Sequence, residues 1–193
     1  MIEHIKGDLL KITPAYVVVE TAGVGYLANI SLSTFSKLEG KSSCMLFIHE
    51  VIREDSYQLF GFADEDERHV FRLLISVTGV GAATARLMLS SLSPDEIRGA
   101  ISTSDINLLK SVKGVGLKTA QRIVVDLKDK VDKQALANEL FVLADNTTKE
   151  EALSALVMLG FAKATVEKVL DNIIRKEKGL SVEDLIKRAL KNM

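Results

Sequence analysis

The chain has 193 residues, 47% of them apolar, with 25 Lys and Arg against 26 Asp and Glu and a net charge of −1 at pH 7. That is enough for one large domain or two to three small ones. No apolar run reaches the roughly eighteen residues of a membrane span, and the start MIEHIKGDLL lacks a signal-peptide hydrophobic region. A single cysteine, Cys44, rules out an internal disulfide, fits an apolar core position and points to a reducing cytoplasm. His4, His49 and His69 are scattered without the paired spacing of a metal site, and no cofactor is expected.

Residues 1–63 read as β. Apolar, β-branched runs cover Ile2–Ile12, Tyr16–Thr21, Gly25–Leu32, Cys44–Arg53 and Tyr57–Phe62, separated by Thr13-Pro14, Ala22-Gly23, Glu39-Gly40-Lys41 and Glu54-Asp55-Ser56. Five short strands at this spacing predict a small barrel, with a brief helix near Leu32–Leu38. The turn Arg53-Glu54-Asp55-Ser56 lies between two apolar strands. It reads first as a polar hairpin, second as a wedge whose carboxylates repel phosphates, and third as half of a metal-dependent nuclease centre that lacks a third ligand.

From Asp64 the apolar period becomes helical: Val70, Phe71, Leu73, Leu74 and Val77 share a face. Ser93-Pro94-Asp95-Glu96 starts a helix with Ser93 as N-cap, Pro94 at N1 and Glu96 at N3. Thr103-Ser104-Asp105 starts the next, and helices run to about Lys130. One phrase occurs twice in this segment, 35 residues apart: SVTGVGAATA at 76–85 and SVKGVGLKTA at 111–120. Gly79-Val80-Gly81 and Gly114-Val115-Gly116 each join two apolar segments. Helix, turn, helix is the reading, with a close backbone approach and a helix N-terminus free to hold a phosphate.

A tight connection with no ligand is the alternative for a single copy; the shared SVxGVGxxTA makes it the weaker one for two. A nucleotide loop fits poorly, because Leu117 precedes Lys118-Thr119 where a P-loop needs glycine, and Thr84 and Thr119 replace a third glycine. Charge separates the copies. Lys110, Lys113, Lys118, Arg122, Lys128 and Lys130 face only Asp126 and Asp129 over residues 110–130, a net of +4, whereas Ala82-Ala83 follows the first turn. Such a local positive footprint suits a phosphate cradle.

Residues 131–147 end in Ala-Asp-Asn-Thr-Thr and read as a linker, with a helical turn or two expected over Leu136–Leu143. A three-helix module follows over 148–193. Leu153, Leu156, Val157 and Leu159 form its first apolar face, Gly160-Phe161 ends that helix, and Ser181 with Asp184 at N3 opens the last. Read on its own it is a terminal domain or a docking module.

The phrases GVGY (Gly23–Tyr26), REDSYQLFGF (Arg53–Phe62), TGVG (Thr78–Gly81) and KGVGLKTAQRIVVDLKDK (Lys113–Lys130) occur in this order over nearly the whole chain. In this the sequence resembles the RuvA family of Holliday junction branch migration proteins. The resemblance implies a multidomain β-then-α chain: an OB-fold barrel with an acidic pin (1–63), a tandem helix-hairpin-helix DNA-binding domain (64–130), a flexible linker (131–147) and a UBA-like motor-docking domain (148–193). It implies a cytoplasmic, non-catalytic homotetramer, with an octamer of two tetramers left open, that binds four-way junctions in recombination, DNA repair and the SOS response to DNA damage. The implied partners are the hexameric ATPase RuvB and, as a further candidate, the RuvC resolvase, with no membrane. Carried over residue by residue, the DNA-binding set is Gly79, Val80, Gly81, Gly114, Val115, Gly116, Lys118, Thr119 and Arg122. Glu54 and Asp55 match the acidic pin, and Leu156, Leu159, Gly160 and Phe161 the docking face. The family often has a lysine where this chain has Ala82-Ala83.

Overall fold

The structure is a computed structural model and describes residues 1–140, 147–177 and 179–192, with backbone alone for 132–140, 147 and 176. It divides into two compact units, Met1–Asp132 and Lys133–Met193. The barrel and hairpin segments, parted at residue 63 in the sequence, fall in the first unit together.

Five strands, β1 (His4–Ile12), β2 (Tyr16–Thr21), β3 (Val24–Asn29), β4 (Ser43–Ile52) and β5 (Tyr57–Phe62), close in the order β1-β2-β3-β5-β4. Four of the pairings are antiparallel. The fifth, β3 with β5, is parallel and short, Ala28↔Leu59 and Asn29↔Phe60, and the Asn29 side-chain amide reinforces it by donating to Leu59 O at 3.2 Å. β3 ends at Asn29 rather than running to Leu32, because Ser31 caps helix α1 (Leu32–Leu38), its Oγ accepting from Thr34 N–H at 3.0 Å. Ile5, Val17, Val19, Ala28, Leu46, Ile48 and Leu59 fill the barrel. Cys44 is half-buried against this core, and burial pushes its thiol pKa up.

The run Leu59-Phe60-Gly61-Phe62 is apolar throughout because both faces of β5 are covered. Leu59 and Gly61 face the barrel interior, where a Cβ on Gly61 would stand 3.1 Å from Leu46 Cδ1 and 3.2 Å from Ala28 Cβ. Phe60 and Phe62 face the other way into the helical core, their rings 5.2 and 4.9 Å from that of Phe71. One strand thus belongs to two cores, and this ties the barrel to the helices.

The helices are α2 (Glu65–Ile75), α3 (Ala82–Ser91), α4 (Pro94–Ser102), α5 (Ile106–Ser111) and α6 (Leu117–Leu140). Asp64 caps α2, accepting from Glu67 N–H at 2.9 Å. Ser93 and Glu96 form the expected capping box on α4, and Asp105 caps α5. Helix α6 continues past Lys130 to Leu140, so the first ten residues of the expected linker are helical. The sequence has no glycine or proline over Leu117–Leu140 to stop it; of the rest of that segment, 141–146 lies outside the described residues and Thr147 already opens the next helix.

The second unit carries α7 (Thr147–Met158), α8 (Lys163–Lys176) and α9 (Val182–Asn192) around Ala152, Leu156, Val166, Leu170, Ile173, Leu185 and Ala189. Among the described residues no helix is long and apolar enough to cross a membrane.

Candidate nucleic-acid interface

The two G-V-G phrases fold into the same turn. After α2, Val80 N–H donates to Val77 O at 3.0 Å; after α5, Val115 N–H donates to Val112 O at 3.1 Å. Gly79 and Gly114 hold the third position of these four-residue turns at φ +95° and +91°, the left-handed conformation that glycine adopts without strain. Val77, Val80, Val112 and Val115 are buried and pin each turn to the core, while all four glycines stay exposed.

Gly81 needs a different explanation. It is the N-cap of α3 at φ −86° and ψ 166°, which any residue can adopt, and a Cβ there would meet nothing within 4 Å. A Cβ on Gly116 would also stand in open space, at a φ outside the left-handed range. Neither strain nor internal crowding requires these two glycines, and the space beside each is open to an approaching backbone. The first intrahelical bonds are Ala85 N–H to Gly81 O and Ala120 N–H to Gly116 O, both 2.9 Å. The N–H groups of the first helical turn, ahead of these bonds, have no intrahelical partner and sit at the positive end of the helix dipole.

The cations differ between the turns. Lys118 and Arg122 are exposed on α6 beside the second turn, and Thr119 is half-buried. Arg122 Nε makes a long ion pair with Asp126 at 3.5 Å. The equivalents of Lys118 and Arg122 in the first repeat are Ala83 and Leu87. The basic residue on α3 is Arg86, and it turns away to the barrel, its Nη1 donating to Ala15 O at 2.7 Å and to Ile30 O at 3.4 Å.

The acidic turn stands at the end of a well-paired hairpin. The β4–β5 ladder runs out to Ile52↔Tyr57, and Arg53 N–H donates to Ser56 O at 2.8 Å to close the loop. Glu54 and Asp55 sit exposed at the tip. The ladder is braced below by Glu50, whose carboxylate accepts from the Tyr57 hydroxyl at 2.5 Å and from Ile2 N–H at 2.9 Å. The Tyr57 bond, followed by that from Ile2, holds the Glu50 carboxyl below its usual range, and the same pairing raises the Tyr57 phenol. Among the described residues no three His, Cys, Asp or Glu side chains gather as metal ligands would.

In the second unit, α7 ends in a Schellman motif: Phe161 N–H reaches Leu156 O at 3.2 Å and Gly160 N–H reaches Val157 O at 3.0 Å, with Gly160 at φ +99°. Leu159 is 63% exposed, next to Met158 at 86% and Val157 at 40%, and Phe161 is 37% exposed. Leu156 is fully buried; it supports this apolar corner from beneath.

Sequence reasoning missed a polar layer between barrel and helices. Glu67 and Arg68, within the charged start of α2, are both buried. Glu67 accepts from the Ser31 hydroxyl and, at 2.8 Å, from the Thr34 hydroxyl; burial raises its pKa despite these donors. Arg68 donates to Glu3 O at 3.0 Å, to Ile48 O at 3.3 Å and to the Glu3 carboxylate at 2.5 Å. A run such as EDERH reads as a solvated first turn, and nothing in its period marks two of its members as interior.

A closed five-stranded barrel joined to two helix-turn-helix units with matched turns defines a barrel protein with a tandem helix-hairpin-helix. The family models agree: residues 1–61 match the RuvA N-terminal domain, 71–129 the SAM-like helix-hairpin-helix tandem and 148–193 the RuvA C-terminal domain. Among curated relatives, the chain is 51% identical to the Holliday junction branch migration complex subunit RuvA of Bacteroides thetaiotaomicron. It is 50% identical to that of Christiangramia forsetii and 47% to that of Flavobacterium psychrophilum, in each case over all of both chains. The chain belongs to the RuvA family.

Proposed function

We propose that this protein binds four-way DNA junctions as a homotetramer in the cytoplasm, holds them open, and brings a RuvB-type hexameric ATPase to them for branch migration. The observation that carries the reading is the pair of turns with matched geometry and exposed, internally unneeded glycines at Gly81 and Gly116. Full-length similarity to proteins named as branch migration subunits supports it.

Gly79-Val80-Gly81 and Gly114-Val115-Gly116 each shape a cradle for a phosphate; the valine N–H groups close the turns, and the N–H groups at the start of α3 and α6 that have no intrahelical partner face the ligand. Lys118 and Arg122 add charge at the second, and Thr119 a hydroxyl. Contacts of this kind grip the sugar-phosphate chain without reading bases, so binding is independent of sequence and falls with salt. Glu54 and Asp55 repel phosphates. Four copies around a fourfold axis gather four such tips where the strands exchange, and keep the crossing strands apart. The protein needs no reacting group for this; hydrolysis of ATP belongs to the motor. The apolar corner of Leu159, Gly160 and Phe161 is the docking face for that motor, and the RuvC resolvase is a further partner of the same assembly.

The test is a gel-shift titration against a four-way junction and a linear duplex of the same sequence, at moderate salt with EDTA, together with light scattering of the complex. A strong junction preference and the mass of four chains, or eight, are expected. Equal affinity for the two DNAs overturns the reading, as does junction cleavage in Mg²⁺ that Glu54→Gln abolishes.

A further inference from the structure

Three consecutive residues where the chain leaves β3 and enters α1, Ile30, Ser31 and Leu32, are each held by a side chain from the first hairpin. Ile30 O accepts from Arg86 Nη1 at 3.4 Å, and the same nitrogen reaches Ala15 O at 2.7 Å. The Ser31 hydroxyl donates to the Glu67 carboxylate. Leu32 N–H donates to Ser90 Oγ at 3.1 Å, and Ser90 Oγ in turn donates to Arg86 O at 2.8 Å. Glu67 lies on α2, and Arg86 and Ser90 lie four residues apart on α3, so both helices of the hairpin close on one point. Ile30 N–H also donates to Ala15 O at 3.1 Å, which ties this point to the start of β2. The side chains of the second hairpin bond within the helical half, Lys128 to Ser104 Oγ at 3.0 Å and Arg122 to Asp126.

We infer that Arg86, with Ser90, is a positioning residue that sets the first hairpin's phosphate cradle relative to the barrel and its acidic tip. The inference rests on the reading of the turns as phosphate cradles. The first hairpin has Ala83 and Leu87 where the second has Lys118 and Arg122, so its grip depends on backbone N–H groups alone. Such donors are directional and reach one place. A cradle without cations must therefore be aligned in advance, because no long flexible charged side chain corrects a misplacement. Arg86 suits this role: a single guanidinium nitrogen bridges the carbonyls of Ala15, just before β2, and Ile30, just after β3.

The experiment measures junction and duplex binding of Arg86→Met, Arg86→Lys and Ser90→Ala over a salt series, at a temperature where circular dichroism shows each variant folded. Arg86→Met is expected to lower the ratio of junction to duplex affinity about tenfold, the worth of a lost charged hydrogen bond, while the slope of log K against log salt stays at the wild-type value. Arg86→Lys recovers part of the loss, and Ser90→Ala shows a smaller loss in the same direction. An unchanged ratio in folded Arg86→Met overturns the inference. So does a slope reduced by about 0.9, which would make Arg86 a phosphate contact. Should Arg86→Met not fold, Ser90→Ala decides by the same ratio. Wild-type protein without junction preference would instead remove the functional reading itself, before any variant is compared.

Discussion

The two hairpins share a backbone and differ in what surrounds it. Val77/Val80 and Val112/Val115 are buried alike, and Gly79 and Gly114 differ by only 4° in φ (+95° and +91°). Yet the first is clamped to the barrel by Arg86, Ser90 and Glu67, and has no cation in the repeat positions of Lys118 and Arg122. The second sits in the most basic stretch of the chain. On the proposed function, the two turns hold one class of ligand in two ways, by preorganised amides in one copy and by amides with mobile charge in the other. On that proposal, the motif fixes the shape of the cradle, while the residues outside it fix how binding responds to salt.

Blocking either cradle should give the largest effect. Gly81→Val and Gly116→Val place a side chain in space that nothing inside the protein occupies. Both are expected to leave the unfolding midpoint nearly unchanged and to weaken junction binding by about tenfold to a hundredfold, the loss of one or two charged hydrogen bonds. Unfolding of either variant, or full binding, breaks the argument that these glycines serve an external backbone.

Next come the left-handed positions. Gly79→Ala and Gly114→Ala meet no steric obstacle, so the cost is that of the backbone conformation alone, about 1–2 kcal/mol each. Urea denaturation should show equal losses; a clear inequality means the two turns are not equivalent.

The charge difference is smaller and appears in salt dependence. Lys118→Ala should reduce the slope of log K against log salt by about 0.9, and Ala83→Lys should raise it by about the same amount. If both variants keep the wild-type slope, the cations do not touch phosphate and the contrast between the hairpins fails.

The smallest effect concerns Glu67. Burial holds its carboxyl above the ordinary value of 4.5. The folded protein keeps this proton after the unfolded chain has released it, so stability falls as pH rises from about 4.5 through the raised value, then levels off. Glu67→Gln removes the ionisation. Relative to wild type, its thermal midpoint should be flat with pH below about 4.5 and should improve as pH rises above it. A difference independent of pH would show that this carboxyl is not held protonated by the fold.

Much of this molecule is determined by local sequence. Alternating β-branched runs with Gly and Pro breaks specify five strands, Ser93 and Glu96 specify their capping box, and Gly160 specifies the end of α7, because each depends on residues within a turn of one another. The duplicated SVxGVGxxTA likewise determines two like turns. What tertiary structure alone decides is the contact between distant segments. It brings Arg86 to Ala15 and Ile30, buries Glu67 against Ser31 and Thr34, and turns Phe60 and Phe62 of a barrel strand into the helical core. A charged side chain carries no mark of whether its partner is water or a carbonyl 71 residues away. Desolvation is a property of the packed whole, and only the fold can assign it.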